Sequence, residues 1–187
     1  MIRIALSSLL ALVFSFPAAA QYADRPLTIL SGYPAGGMVD IVARLLAEGM
    51  KGKFPRGVLV ANRTGAGGAV AAAEVATGKP DGTTIVLTPL STLVIQPQIL
   101  DLRFKTPDDY EPVINVVSYY PLLVVQTDAR WKNAQEFIAE AKANPGKMRV
   151  GSPGEGTSSH LNLEELMHVA GIKVTHVPYR GWGESSP

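Results

Sequence analysis

The stretch Gly151-Ser152-Pro153-Gly154-Glu155-Gly156-Thr157-Ser158-Ser159-His160 constrains this chain more than any other. It follows a strand-like run, Met148-Arg149-Val150, and precedes a helical pattern from Leu161. Three glycines let the backbone turn sharply and come close to a guest. Thr157, Ser158 and Ser159 add hydroxyls and N-capping chemistry where a helix opens. A helix start carries unpaired N–H groups and partial positive charge, so it favours an anion. The stretch holds no Lys or Arg, which leaves amides and hydroxyls as its donors. A second device of this kind is Tyr33-Pro34-Ala35-Gly36-Gly37, ahead of a helix beginning near Met38. The two are expected to face each other across a cleft and hold a small carboxylate.

The order of elements sets the fold class. Leu27–Leu30 reads as a buried strand, and Met38, Ile41, Val42, Leu45 and Leu46 recur at helical spacing. Asp40, Arg44 and Glu48 fall on the other face, one turn apart, where opposite charges pair. Val58–Val60 is a second strand and Ala69–Ala76 a second helix, stopped by Gly78 and Pro80. Thr84–Leu87 is a third strand, followed by a short helix from Ser91 toward Leu100. A polar, proline-containing crossing covers 102–112. Val113–Val117 and Leu122–Val125 read as two further strands. Asn133-Ala134-Gln135-Glu136 is a capping box for a helix ending near Asn144. Strand 148–151, the organising loop, and a helix to Ala170 with Gly171 at its C′ position come next. Ile172–Val177 is the last strand, then the loop Pro178–Gly183; a helix should follow such a strand and loop, and none is read in this chain. Repeated β-loop-α units imply parallel sheets covered by helices, with ligands at the carboxyl ends of strands.

Composition narrows the partners. Charged residues make up 18% and hydrophobic residues 47%, as in an ordinary globular protein. Arg3 is the sole charge among the first twenty residues, so the rest of the chain balances to zero. A neutral chain without a basic cluster argues against nucleic acid. The absence of Cys removes disulfides, thiol catalysis and thiolate metal sites. Residues 1–20 carry a short positive region, an apolar run Ile4–Phe16 and Ala18-Ala19-Ala20 ahead of Gln21. That is a cleavable secretory signal, and export is expected with cleavage between Ala20 and Gln21.

Other chemistries lack their partners. Gly65-Ala66-Gly67-Gly68 misses the spacing of a dinucleotide fingerprint, so small-residue packing is expected there and no cofactor. An exported serine hydrolase using Ser158 or Ser159 is the alternative to a binding protein, but no base and orienting acid accompany those serines. His160, His168 and His176 do not fall at metal-ligand spacing with a carboxylate. A non-enzymatic binder is therefore expected.

Several motifs in fixed order carry a family resemblance. They are Tyr22-x-x-Arg25-Pro26, Pro34-Ala35-Gly36-Gly37-x-x-Asp40, Asn62-Arg63-x-Gly65-Ala66-Gly67-Gly68 and Pro80-Asp81-Gly82-Thr83-Thr84. Asn144-Pro145-Gly146-Lys147, Gly154-x-Gly156-Thr157-Ser158-Ser159-His160 and His176-Val177-Pro178-Tyr179 continue the series. The chain resembles the substrate-binding receptors of the tripartite tricarboxylate transporter family, also called Bug receptors. Gly32 stands where the family usually has Pro, Thr64 replaces a common Pro, and Ala69 a common Asn.

The resemblance implies an α/β, two-lobed, periplasmic-binding-protein-like (type II) fold that closes on its ligand like a Venus flytrap. It also implies a longer protein, with the fold incomplete in this chain: lobe 1 drawn from 21–110 and part of lobe 2 from 111–187. The implied partners are a small organic carboxylate and the membrane permease subunits of a tripartite transporter, with the receptor a monomer. Carried over residue by residue, the ligand loops are Tyr33, Pro34, Ala35, Gly36 and Gly37 with Asp40, and Ser152, Gly154, Gly156, Thr157, Ser158, Ser159 and His160. Thr88 and Ser91, at the end of the third strand, are further candidates for the cleft. Asp40 is expected to serve mainly as a first-turn cap, because a free carboxylate would repel an anionic ligand. A sensor module of the same fold is a further alternative to a transport receptor.

Overall fold

The computed structural model describes residues 25–105 and 107–185; the expected signal segment and Tyr22 lie outside them. Strand β1 (Leu27–Ser31) is the centre of the first sheet, with β2 (Val58–Asn62) and β3 (Thr84–Leu87) parallel on either side. Ile29 and Leu30 are buried because a central parallel strand is covered on both faces. Helices α1 (Met38–Gly49) and α2 (Ala69–Ala76) make the crossovers between these strands. The short helices α3 (Leu90–Val94) and α4 (Gln96–Ile99) follow β3. Ala69 and Ala72 on α2 pack with Phe104, whose ring meets Tyr110 edge to face.

The second sheet pairs β4 (Arg149–Ser152) with β5 (Thr175–Pro178), also parallel. Helix α5 (Ala134–Ala143) is capped by the Asn133 side chain, which accepts from Glu136 N at 2.9 Å. Helix α6 (Ser158–Ala170) ends at Gly171, which takes the left-handed conformation. Phe137, Ala141, Met148, Leu163, Ile172 and Val174 form the core between these elements and the sheet.

The structure differs from the expected pattern in four places. The segments 113–117 and 122–125 form no strand, since backbone becomes strand only beside a partner, and none of the described strands lies alongside them. Helix α1 buries Val39, Asp40 and Ala43 and leaves Ile41 and Leu45 exposed, with Asp40 turned inward to accept from Gly36 N. Arg44 forks onto Asp40, while Glu48 pairs with Lys51. A short helix α7 (Trp182–Ser185) follows the last strand, where only a loop is expected from sequence. Helix α6 also begins at Ser158, three residues before the apolar pattern, because Thr157 supplies its cap.

Candidate functional site

Three loops at the carboxyl ends of the strands meet around one carbonyl. Gly67 O accepts from Tyr33 Oη at 2.8 Å, Thr92 Oγ1 at 2.9 Å and Gln96 Nε2 at 3.3 Å. Gln96 is fully buried and also donates to Glu155 O at 3.1 Å. One amide thus ties the 65–68 loop, beside the first sheet, to the 152–157 loop, beside the second. Close approach is possible because both backbones lack side chains here. A Cβ on Gly67 would stand 2.2 Å from Gln96 Nε2 and 3.1 Å from Thr157 Cγ2. Behind this, Gly32 presses on Gly68: a Cβ at Gly32 would lie 2.6 Å from the Gly68 Cα. The bare glycine at 32 makes that contact feasible.

The 33–37 loop is fixed from below. Asp40 Oδ2 accepts from Gly36 N at 2.8 Å and from Arg44 Nε at 2.9 Å. Asp40 Oδ1 accepts from Arg44 Nη2 at 3.0 Å and from Asn62 Nδ2 at 2.9 Å. Asn62 Nδ2 also reaches Tyr33 O at 2.9 Å. These bonds, led by the Arg44 guanidinium, hold the Asp40 carboxyl down at about 2. Asp40 is therefore a buried anionic hub that sets the loop and presents no charge to the cleft. Burial pushes the Tyr33 phenol up to about 12, so it remains a hydrogen-bond donor at neutral pH.

The 152–160 loop is organised the same way. Ser152 Oγ accepts from Gly154 N at 3.2 Å and lies 2.7 Å from His176 Nε2. Thr157 Oγ1 donates to Gly154 O at 2.7 Å and accepts from His160 N. His160 Nδ1 accepts from Gly156 N at 3.2 Å, and its ring stacks on His176 with centroids 3.9 Å apart. Burial, then the neighbouring His160, holds the His176 imidazole below its ordinary value.

The expected cradle is thereby changed in its atoms. Gly36 N and Gly37 N bond to Asp40 and Pro34 O, and Gly154 N and Gly156 N bond to Ser152 and His160. The amides of Gly36, Gly37, Gly154 and Gly156 are committed within their loops. The first-turn N–H groups of α1, and those of Ser158 and Ser159 in α6, have no intrahelical acceptor, while His160 N is taken by Thr157 Oγ1. Thr88 Oγ1, Ser91 Oγ, Tyr110 Oη and Ser159 Oγ are buried without a hydrogen-bond partner among the described residues, and Ser159 lies in the first turn of α6. Ser158 Oγ shares a hydrogen bond with Tyr119 Oη at 3.0 Å.

A cavity of about 280 Å³ opens beside this network, lined by residues 33–39 and by Trp182, Gly183 and Glu184. Pro34, Ala35, Gly36 and Gly37 face it. The residues of 152–160 do not line it; they meet the first half of the chain through Gly67 and Gln96. Sequence reasoning missed Thr92, Gln96, Tyr119, His176 and Trp182. Their roles come from long-range packing that no local pattern announces, although the His176-Val177-Pro178-Tyr179 motif flagged that neighbourhood.

Ser152, the serine that meets a histidine, is 1% exposed. Ser158 meets a tyrosine and Ser159 no partner. Among the described residues no group of three His, Asp or Glu is placed to hold a metal ion, and no helix is long and apolar enough to cross a membrane.

Comparison with known proteins agrees with this architecture. The family model described as "Tripartite tricarboxylate transporter family receptor" matches residues 42–186. The chain belongs to this family. A relative from Cupriavidus necator, a UPF0065 protein in the gbd 5' region, is 38% identical over 174 residues, covering 91% of this chain and 53% of its own length. Protein BugT of Bordetella pertussis is 31% identical over 170 residues, covering 88% of this chain and 51% of its own. The chain spans about half the length of the curated relatives it matches. Among solved structures, a periplasmic transporter superposes with a TM-score of 0.76 at 31% identity, covering 88% of this chain and 55% of the other. MatC from Rhodopseudomonas palustris, solved with bound malate, gives 0.72 at 27% identity, with 90% and 56% covered. The α/β periplasmic-binding-protein fold of this TctC-family chain is thus shared with its solved relatives.

Proposed function

We propose that the protein is an exported periplasmic receptor that binds a small organic carboxylate between two lobes, one from residues 21–110 and one from 111–187. It delivers that ligand to the membrane permease subunits of a tripartite transporter, and it is not an enzyme. The observation that carries this reading is the set of buried, unpartnered hydroxyls of Thr88, Ser91 and Ser159. A buried donor left unpaired costs free energy, so a guest or water that bonds these hydroxyls is favoured. Supporting it are the helix starts of α1 and α6, which favour an anion without presenting a charged base or nucleophile. A MatC relative that holds malate supports the substrate class.

Ligand that touches both loops binds the closed arrangement better than an open one and shifts the population toward it. The test is a thermal-shift screen of small organic acids against the natural full-length protein. A true ligand at ~100 times its dissociation constant adds about 2.7 kcal/mol of stability. The proposal expects such a shift for at least one carboxylate. A folded protein unmoved by the whole set of acids contradicts it.

A further inference from the structure

The side chain of Gln96 is fully buried, yet it is an amide set among backbone carbonyls. Its Nε2 donates to Gly67 O at 3.3 Å and to Glu155 O at 3.1 Å, so both amide hydrogens bridge two loops. Its Oε1 has no hydrogen-bond partner among the described residues. A buried acceptor left unpaired is destabilising, so packing alone would favour an apolar side chain at this position. The 152–157 loop is shaped to receive the amide. A Cβ on Gly156 would stand 3.0 Å from Gln96 Cγ and 2.7 Å from Ile99 Cδ1, which seats the loop on α4. Glu155 is an exposed residue whose carbonyl turns inward to Gln96.

We infer that Gln96 is a positioning residue for ligand binding: its buried amide latches the 152–157 loop to the 65–68 loop and raises the population of the closed, binding-competent arrangement. The inference rests on the two-lobed receptor reading and adds what sets its open–closed balance. When the lobes part, the Glu155 bond and the seat of Gly156 on α4 are lost together. The Gly67 bond stays within the first half of the chain and is kept in both arrangements. The Glu155 bond therefore discriminates between closed and open, and a group biases an equilibrium by its difference between the two states. Burial strengthens that bond, because little water screens it. Gln96 needs no contact with the ligand to act: apparent affinity scales with the fraction of protein already competent to bind.

The experiment uses the natural full-length protein. It measures the radius of gyration by X-ray scattering and dissociation constants for malate, succinate and citrate, with unfolding curves as the folding control. Gln96→Met keeps the side-chain length and removes both donors. It should show a larger radius than wild type without ligand, bind ~10-fold more weakly, and reach the wild-type radius once saturated. Gln96→Glu supplies a readout that packing alone would not move. At pH 8 the introduced carboxylate faces two carbonyl oxygens, and Tyr33 and Glu155 bring it no positive charge, so it should bind as weakly as Gln96→Met. At pH 5.5 the protonated carboxyl donates again, and affinity relative to wild type at the same pH should recover ~3-fold or more. Variants that fold and match wild type in radius and affinity overturn the latch and leave the receptor reading intact. An affinity loss equal at both pH values, with a wild-type radius, does the same and marks Gln96 as a packing residue. A folded wild type that binds none of the three acids nor any other carboxylate overturns both.

Discussion

Gly154 sits directly on Gly67: a Cβ on Gly154 would lie 3.1 Å from the Gly67 Cα. Gly154 has a φ of +145° and Gly67 of +57°, both in the region that favours glycine. Through this contact and the two bonds of Gln96, the loop beside the first sheet meets the loop beside the second. Gly154→Ala in the full-length protein is expected to cost ~1–3 kcal/mol, from backbone strain and lost close approach. It should also weaken ligand binding. Unfolding curves and a ligand titration check this; unchanged stability and affinity would show that the contact is incidental.

Asp40 makes a separate prediction. Its carboxylate serves Gly36 N, Arg44 and Asn62 at once, and it is 1% exposed. Asp40→Asn weakens the acceptor that Gly36 N and Asn62 Nδ2 share and is expected to cost ~1–3 kcal/mol. The folded value of about 2 lies below the ordinary carboxylate value. The unfolded chain therefore takes up the proton first as pH falls. Stability from this group is full above pH ~4 and disappears as the pH drops through the folded value. Wild type should lose stability across that acid range more steeply than Asp40→Asn. Parallel acid profiles would contradict the assignment.

The stacked His160–His176 pair predicts a second, milder pH effect. His176 is depressed by burial and by His160, with Glu164 and Glu155 opposing. Unfolded His protonates near pH ~6.5, whereas folded His176 takes up its proton only at lower pH. Its contribution is thus full above that pH and falls away as pH drops through the folded value. Unfolding temperature should decline from pH 7.5 to 5.0 more in wild type than in His176→Gln. An identical decline in both proteins would contradict the role given to the pair.

Much of this was legible before any coordinates. β1, β2, β3 and the Asn133 cap follow from apolar runs, glycine stops and an N-cap side chain, all local signals. The Asp40–Arg44 pair follows from helical spacing. Where sequence failed, the deciding partner was remote. Val113 and Leu122 have strand-forming neighbours yet are 78% and 74% exposed, since pairing is a property of two segments. Ile41 and Leu45 fit an apolar stripe, yet the helix buries Val39, Asp40 and Ala43 instead. Gln96 reads as an ordinary polar residue before a proline, and nothing within its own segment predicts a bond to residue 155. The glycine loops were visible as loops, whereas the commitment of their amides to Asp40, Ser152 and His160 was not.

The central claim is the proposal that the helix starts of α1 and α6, with the Ser159 hydroxyl, hold one negatively charged head group. The most direct measurement compares, by calorimetry on the natural full-length protein, the best-binding carboxylic acid with its methyl ester. Charge-assisted bonds to helix-start amides and to the Ser159 hydroxyl predict that the acid binds ~10-fold or more tighter. Ser159→Ala should narrow that gap. Equal affinity for acid and ester would contradict the account.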